Sequence, residues 1–155
     1  MTNSIKIIKP DDWHVHFRED EMLQVVTKYS SRINNRCIAM PNTSKPIISS
    51  NQAINYKKLI EDNSDNKDFE ALIPCYLTNS LIIEDFIYGL NEKIFIGGKL
   101  YPSNATTNSE HGVNDIKKIY NLFEILEKEN AILLIHGELN RDDIDIFDRE
   151  KYFID

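Results

Sequence analysis

The chain has 155 residues, 41% hydrophobic and 28% charged, enough for one domain with a real core and too few for two. Its formal net charge of −7 comes with no basic stretch to offset it, which excludes broad electrostatic attachment to nucleic acid or anionic lipid. The first ten residues lack the features of a secretory signal, and no run approaches the ~20 apolar residues that span a bilayer; a cytoplasmic protein is expected.

In chain order, residues 5–8 give an apolar lead-in that Pro10 interrupts, and residues 13–17 read as a first strand. Met22, Val25, Val26, Tyr29 and Ile33 recur at three- and four-residue spacing, predicting an amphipathic helix over 21–33. Residues 36–41 form a short buried strand ended by proline. Residues 51–62 form a helix for which Ser50 is available as cap. After a polar run at 62–68, a third strand covers 69–77, and residues 78–80 offer a cap for a helix over roughly 81–90. A fourth strand, 94–101, is weakened by two glycines. Ile116, Ile119, Tyr120, Phe123 and Leu126 mark another helix. Residues 131–136 are near-continuously apolar, as a strand buried on both faces must be.

Strand and helix alternate throughout, which implies parallel strands joined by helical crossovers. Strand ends fall near 17, 41, 77, 101 and 137, a mean spacing of about 30 residues, and a (βα)8 barrel of ~250 residues spends roughly 31 per unit. The closing segment carries Ile146, Phe147, Tyr152 and Phe153 as a helix beginning to pack, without cap or polar tail. The pattern fits an α/β chain of TIM-barrel type covering the first five βα units, residues 1–155 forming one part of a single domain. The alternative is a complete five-stranded doubly wound domain of flavodoxin type.

The stretch Asp-Asp-Trp-His-Val-His-Phe-Arg, residues 11–18, sets His14, His16 and Arg18 on one strand face, because successive strand side chains alternate. Two imidazoles at that spacing can grip one metal ion, or be two ordinary hydrogen-bonded histidines. Asn42, Lys99 and His136 follow the second, fourth and fifth strands, at the strand ends where parallel α/β folds place their active sites. Lys99 lies in an apolar strand. Burial lowers a lysine's pKa, and a neutral amine can add carbon dioxide as a carbamate; otherwise the side chain snorkels to water. His136 is a ligand or a core histidine bonded to the backbone. Glu138 and Asp12 are either carboxylates orienting a ligand or plain strand-end polar groups. Residues 104–108 form a polar loop over the presumed site, and His111 is given no metal role. Cys37 and Cys75 read as reduced, buried thiols.

Taken together, Lys-Pro-Asp-Asp-Trp-His-Val-His-Phe-Arg, Ala-Met-Pro-Asn, Lys-Leu-Tyr-Pro-Ser-Asn-Ala-Thr-Thr-Asn-Ser, Ile-His-Gly-Glu and Asp-Ile-Asp-Ile-Phe-Asp-Arg-Glu closely resemble the bacterial homodimeric-type dihydroorotases of the amidohydrolase superfamily. The resemblance covers essentially all 155 residues. It implies a barrel with two zinc ions (Zn2+) that interconverts N-carbamoyl-L-aspartate and L-dihydroorotate in pyrimidine biosynthesis, as a homodimer at full length. By position, His14 and His16 match ligands of the first zinc, Lys99 the carbamylated lysine bridging both, and His136 a ligand of the second. Arg18 and Asn42 match residues holding the substrate carboxylate, and Thr106 and Thr107 a loop that closes over substrate. The family's remaining histidine ligand and its aspartate acid-base lie on later strands, beyond position 155. The resemblance therefore implies a chain inactive by itself, or a non-catalytic remnant or interaction module retaining the half-barrel.

Overall fold

The computed structural model describes residues 4–155. Its elements are β1 (Asp12–Val15), α1 (Asp20–Ile33), β2 (Arg36–Ala39), α2 (Ser50–Asp62), β3 (Glu70–Leu72), β4 (Cys75–Tyr76), α3 (Ile83–Asn91), β5 (Gly97–Leu100), α4 (Tyr120–Lys128), β6 (Ile132–Ile135) and α5 (Arg149–Ile154), with 3-10 turns leading into α4 and α5. All pairings between these strands are parallel, in two sheets ordered β1-β2-β3 and β4-β5-β6.

The expected third strand is two pieces, because Pro74 has no N–H to give to a ladder and separates β3 from β4. Since both pieces belong to one segment, the two sheets follow each other as five strand positions in sequence order. That order removes the flavodoxin-type alternative, whose strands run 2-1-3-4-5 with a switch point. A consecutive parallel order with helical crossovers is how a barrel wall is built.

One core lies between strands and helices, drawing Val15, Cys37, Ala39 and Ala71 from the strands and Leu23, Ala53, Ile60, Phe86 and Leu122 from the helices. The helix over α1 forms as its spacing predicts, but presents a different face. Leu23, Thr27 and Ser31, four residues apart, are buried, whereas Met22, Val25, Tyr29 and Ile33 are exposed. Small side chains at 27 and 31 let the helix lie close to the sheet, and packing decides the face over the longer apolar stripe.

Other boundaries shift for local reasons. The α2 cap is Ser49, not Ser50: Ser49 Oγ accepts from Gln52 N–H while the Gln52 side chain accepts from Ser49 N–H, a reciprocal pair that only this register allows. Ser50 instead donates its backbone N–H to Asp85 at 2.8 Å. No side chain caps α3; the Thr78 hydroxyl accepts from Ser80 N–H in a local turn. The paired glycines of β5 permit close approach rather than weakening the strand, since a Cβ at Gly97 would overlap the Ile132 carbonyl of β6. β6 is not buried on both faces: Ile132, Leu133 and Ile135 are 45%, 37% and 48% exposed, because β5 is its only strand neighbour among the described residues. Cys37 and Cys75 are free and buried, as expected.

Candidate metal and substrate site

Alternation along the first strand sends Val15 and Phe17 into the core and leaves His14 and His16 on the other face. Their Nε2 atoms are 3.3 Å apart, with ring centroids at 5.2 Å. Two nitrogens bound tetrahedrally to one zinc at ~2.0–2.1 Å lie about 3.3–3.4 Å apart, so the pair has the separation of two ligands; one ring donating to the other has it too. Burial, then the neighbouring Arg18 charge, pushes His16 down to about 4, and burial followed by the Lys99 charge lowers His14. Low proton affinity favours neutral rings, each with a lone pair for a cation. Asp12 shapes the chain rather than the ring, its carboxylate accepting from the backbone N–H of His14 at 3.0 Å.

Lys99 sits in β5, paired with Tyr76 on one side and Leu134 on the other, and is 1% exposed. Its Nζ lies 5.0 Å from the centroid of the Tyr101 ring, and desolvation alone brings its pKa down to about 8. His136 continues past β6, its backbone N–H donating to Leu100 at 2.9 Å and its Nε2 lying 2.9 Å from a Glu138 oxygen. Lys99 and His136 are both close enough to His14 to depress its proton affinity. Tyr101 joins the two later strand ends, its ring centroid lying 5.0 Å from Lys99 Nζ and 6.1 Å from the His136 ring centroid.

Arg18 has a positive φ of 62°, and its carbonyl accepts from the Tyr56 hydroxyl at 3.0 Å, which holds this turn. Its guanidinium reaches the Asn42 carbonyl at 3.5 Å. Both ends of the Asn42 side chain are engaged: Oδ1 accepts from Tyr101 at 3.0 Å and Nδ2 donates to the Thr107 carbonyl at 2.8 Å. Thr106 and Thr107 act through their backbones, Thr106 exchanging bonds with the Ser109 hydroxyl at 2.9 and 2.6 Å. His111 is exposed and lines a separate cavity of about 430 Å³ with Ser44, Lys45 and Glu110. Among the described residues no three His, Cys, Asp or Glu side chains converge as a metal site; the candidate set instead combines a histidine pair, a lysine and a third histidine.

Sequence reasoning overlooked Tyr101, whose hydroxyl orders Asn42 while its ring faces the Lys99 amine and stacks on Tyr76 at 5.0 Å. The signal was present, since position 101 shares the strand face of position 99. It also overlooked Arg149, which meets Glu138 at 3.4 Å from eleven residues away.

No family model matches the chain. Over 153 residues it is 46% identical to the dihydroorotase of Serratia proteamaculans and 48% identical to that of Yersinia pseudotuberculosis serotype I, matches that take in 98% of this chain and 44% of each relative. The relatives matched are dihydroorotases. The chain thus spans under half the length of these enzymes. Solved dihydroorotases carry the same backbone: that of Saccharomyces cerevisiae, in complex with 5-fluoroorotic acid, matches with a TM-score of 0.84 at 30% identity, and that of Campylobacter jejuni with 0.83 at 31%. Each match covers 94% of this chain and 42% of the dihydroorotase. An L-hydantoinase from Arthrobacter aurescens, at TM-score 0.66 and 13% identity, shares the fold alone.

Proposed function

We propose that this chain supplies the first five strands of a dihydroorotase active site, for the reversible cyclisation of N-carbamoyl-L-aspartate to L-dihydroorotate. The observation that carries this reading is the 3.3 Å His14–His16 pair beside a desolvated lysine, in a chain whose relatives are dihydroorotases. His14 and His16 would hold one zinc ion and His136 a second, with Lys99 between them as a carbamate. Forming that carbamate joins the lysine nitrogen to carbon dioxide and releases one proton, a reaction of the neutral amine that burial favours. Zinc, when bound, supplies Lewis-acid polarisation of the substrate amide carbonyl and activates water.

This chain's own residues account for binding. Arg18 presents a planar fork suited to a carboxylate, which explains how a chain of net charge −7 takes an anionic substrate. Asn42 would be the second carboxylate contact, through the Nδ2 hydrogen that its bond to the Thr107 carbonyl leaves free. Substrate held there would lie against the loop carrying Thr106 and Thr107, which the Asn42 side chain already anchors. None of the 155 residues is assigned as general acid-base.

The test is turnover of L-dihydroorotate by the chain alone and by a chimaera joining it to the remaining portion of the Serratia dihydroorotase. Negligible turnover is expected from the chain alone, and turnover from the chimaera that Lys99→Ala abolishes. A soluble chimaera that is inactive, or one indifferent to Lys99→Ala, would contradict the reading.

A further inference from the structure

Past the end of β6 the chain builds a small relay. His136 Nε2 lies 2.9 Å from Glu138 Oε2, and the other Glu138 oxygen lies 3.4 Å from the Arg149 guanidinium. All three side chains are only about a quarter exposed. The backbone closes the same unit, since Leu139 N–H donates to the Arg149 carbonyl at 3.1 Å. Phe153 of α5 lies over Gly137, where an added Cβ would meet its ring at 3.2 Å. Short α5 thus touches the strand end at a charge, at a carbonyl and at a bare glycine.

We propose that Glu138, braced by Arg149, is a positioning residue that fixes the tautomer of His136. A carboxylate only accepts hydrogen bonds, so an imidazole nitrogen 2.9 Å away must carry the proton. The proton goes to Nε2, and Nδ1 keeps the free lone pair. Arg149 holds the carboxylate by the oxygen that His136 does not use, so Glu138 cannot swing away without losing an ion pair. This deepens the proposed function, and rests on it, by naming which nitrogen of His136 serves zinc and what orients it.

Nitrogen-15 NMR of the histidine rings in the zinc-free 155-residue chain reads the tautomer directly, and calorimetry reads zinc affinity. The wild-type chain is expected to show protonated Nε2 at His136. Glu138→Ala should mix the tautomers and weaken zinc binding about 10- to 100-fold. Arg149→Met should do the same to a smaller degree, and Glu138→Gln, whose amide oxygen still accepts, should restore the wild-type tautomer. A proton on Nδ1 in the wild-type chain, or a Glu138→Ala chain that keeps both tautomer and affinity, overturns the proposal. His136→Ala separates the two readings: if it binds zinc as the wild type does, the metal assignment falls and this inference with it. If it loses zinc while Glu138→Ala does not, this inference alone falls.

Discussion

β2 and β6 are both short, apolar and parallel, yet they live in different surroundings. In β2, Cys37, Ile38 and Ala39 are buried, with β1 and β3 on its two sides. In β6, Ile132, Leu133 and Ile135 are more than a third exposed, with β5 as the one neighbouring strand among the described residues. Apolar composition states what a strand is suited to; its neighbours decide what it buries. The sheet edges differ in the same way. At β1, Asp11 takes a forked pair of bonds from Arg36, whose guanidinium lies 5.2 Å from the Trp13 ring centroid, so the edge is dressed with charge and an aromatic plane. Among the described residues, β6 carries no such dressing.

The largest test of this contrast compares truncations. Phe17→Ala, in the closed region, should cost about 3–5 kcal/mol, and Ile135→Ala, on the open strand, less than about 1 kcal/mol. Urea midpoints measure both, and similar costs would erase the distinction. Gly97→Ala tests the β5–β6 seam: the added Cβ must push away the Ile132 carbonyl, and a loss of about 2–3 kcal/mol is expected, with amide exchange quickening first in β6. Exchange that quickens equally in β2 would contradict an independent seam.

The smallest effect concerns the dressed edge. The Arg36 guanidinium holds the Asp11 carboxyl below its ordinary value of 3.8. The unfolded chain binds that proton more readily, so the contribution is present above 3.8 and is lost as pH falls through the folded-state value. Asp11→Asn should therefore lower the melting temperature slightly at pH 7, and the difference from wild type should vanish in strong acid. A difference that grows on acidification has the wrong sign.

Much of this molecule is legible from local pattern. Alternation about Val15 and Phe17 places His14 and His16 on the opposite face, and the 30-residue rhythm marks five strand positions. Pattern fails where a choice is made between distant parts. Thr27 and Ser31 win the buried face of α1 because the sheet wants a close approach there, which no window of that helix reveals. Pro74 is visible in the sequence, but that it hands the third strand from one sheet to the other depends on both neighbours. Asn42 was readable as a polar strand end, whereas its engagement by Tyr101 and Thr107 depends on residues about sixty positions away. The Glu138–Arg149 contact forms only once α5 has folded back. Lys99 sits between these cases: its apolar setting is local, while the neighbouring strands that bury it, through Tyr76 and Leu134, are not.

The central claim is that side chains from position 14 to position 136 gather around metal at one mouth. Anomalous diffraction at the zinc edge, from crystals grown with zinc and bicarbonate, tests it most directly. The account predicts a peak between the Nε2 atoms of His14 and His16, with density extending from Lys99 Nζ toward it. A zinc peak elsewhere, or none at the histidine pair with Lys99 unmodified, would contradict it.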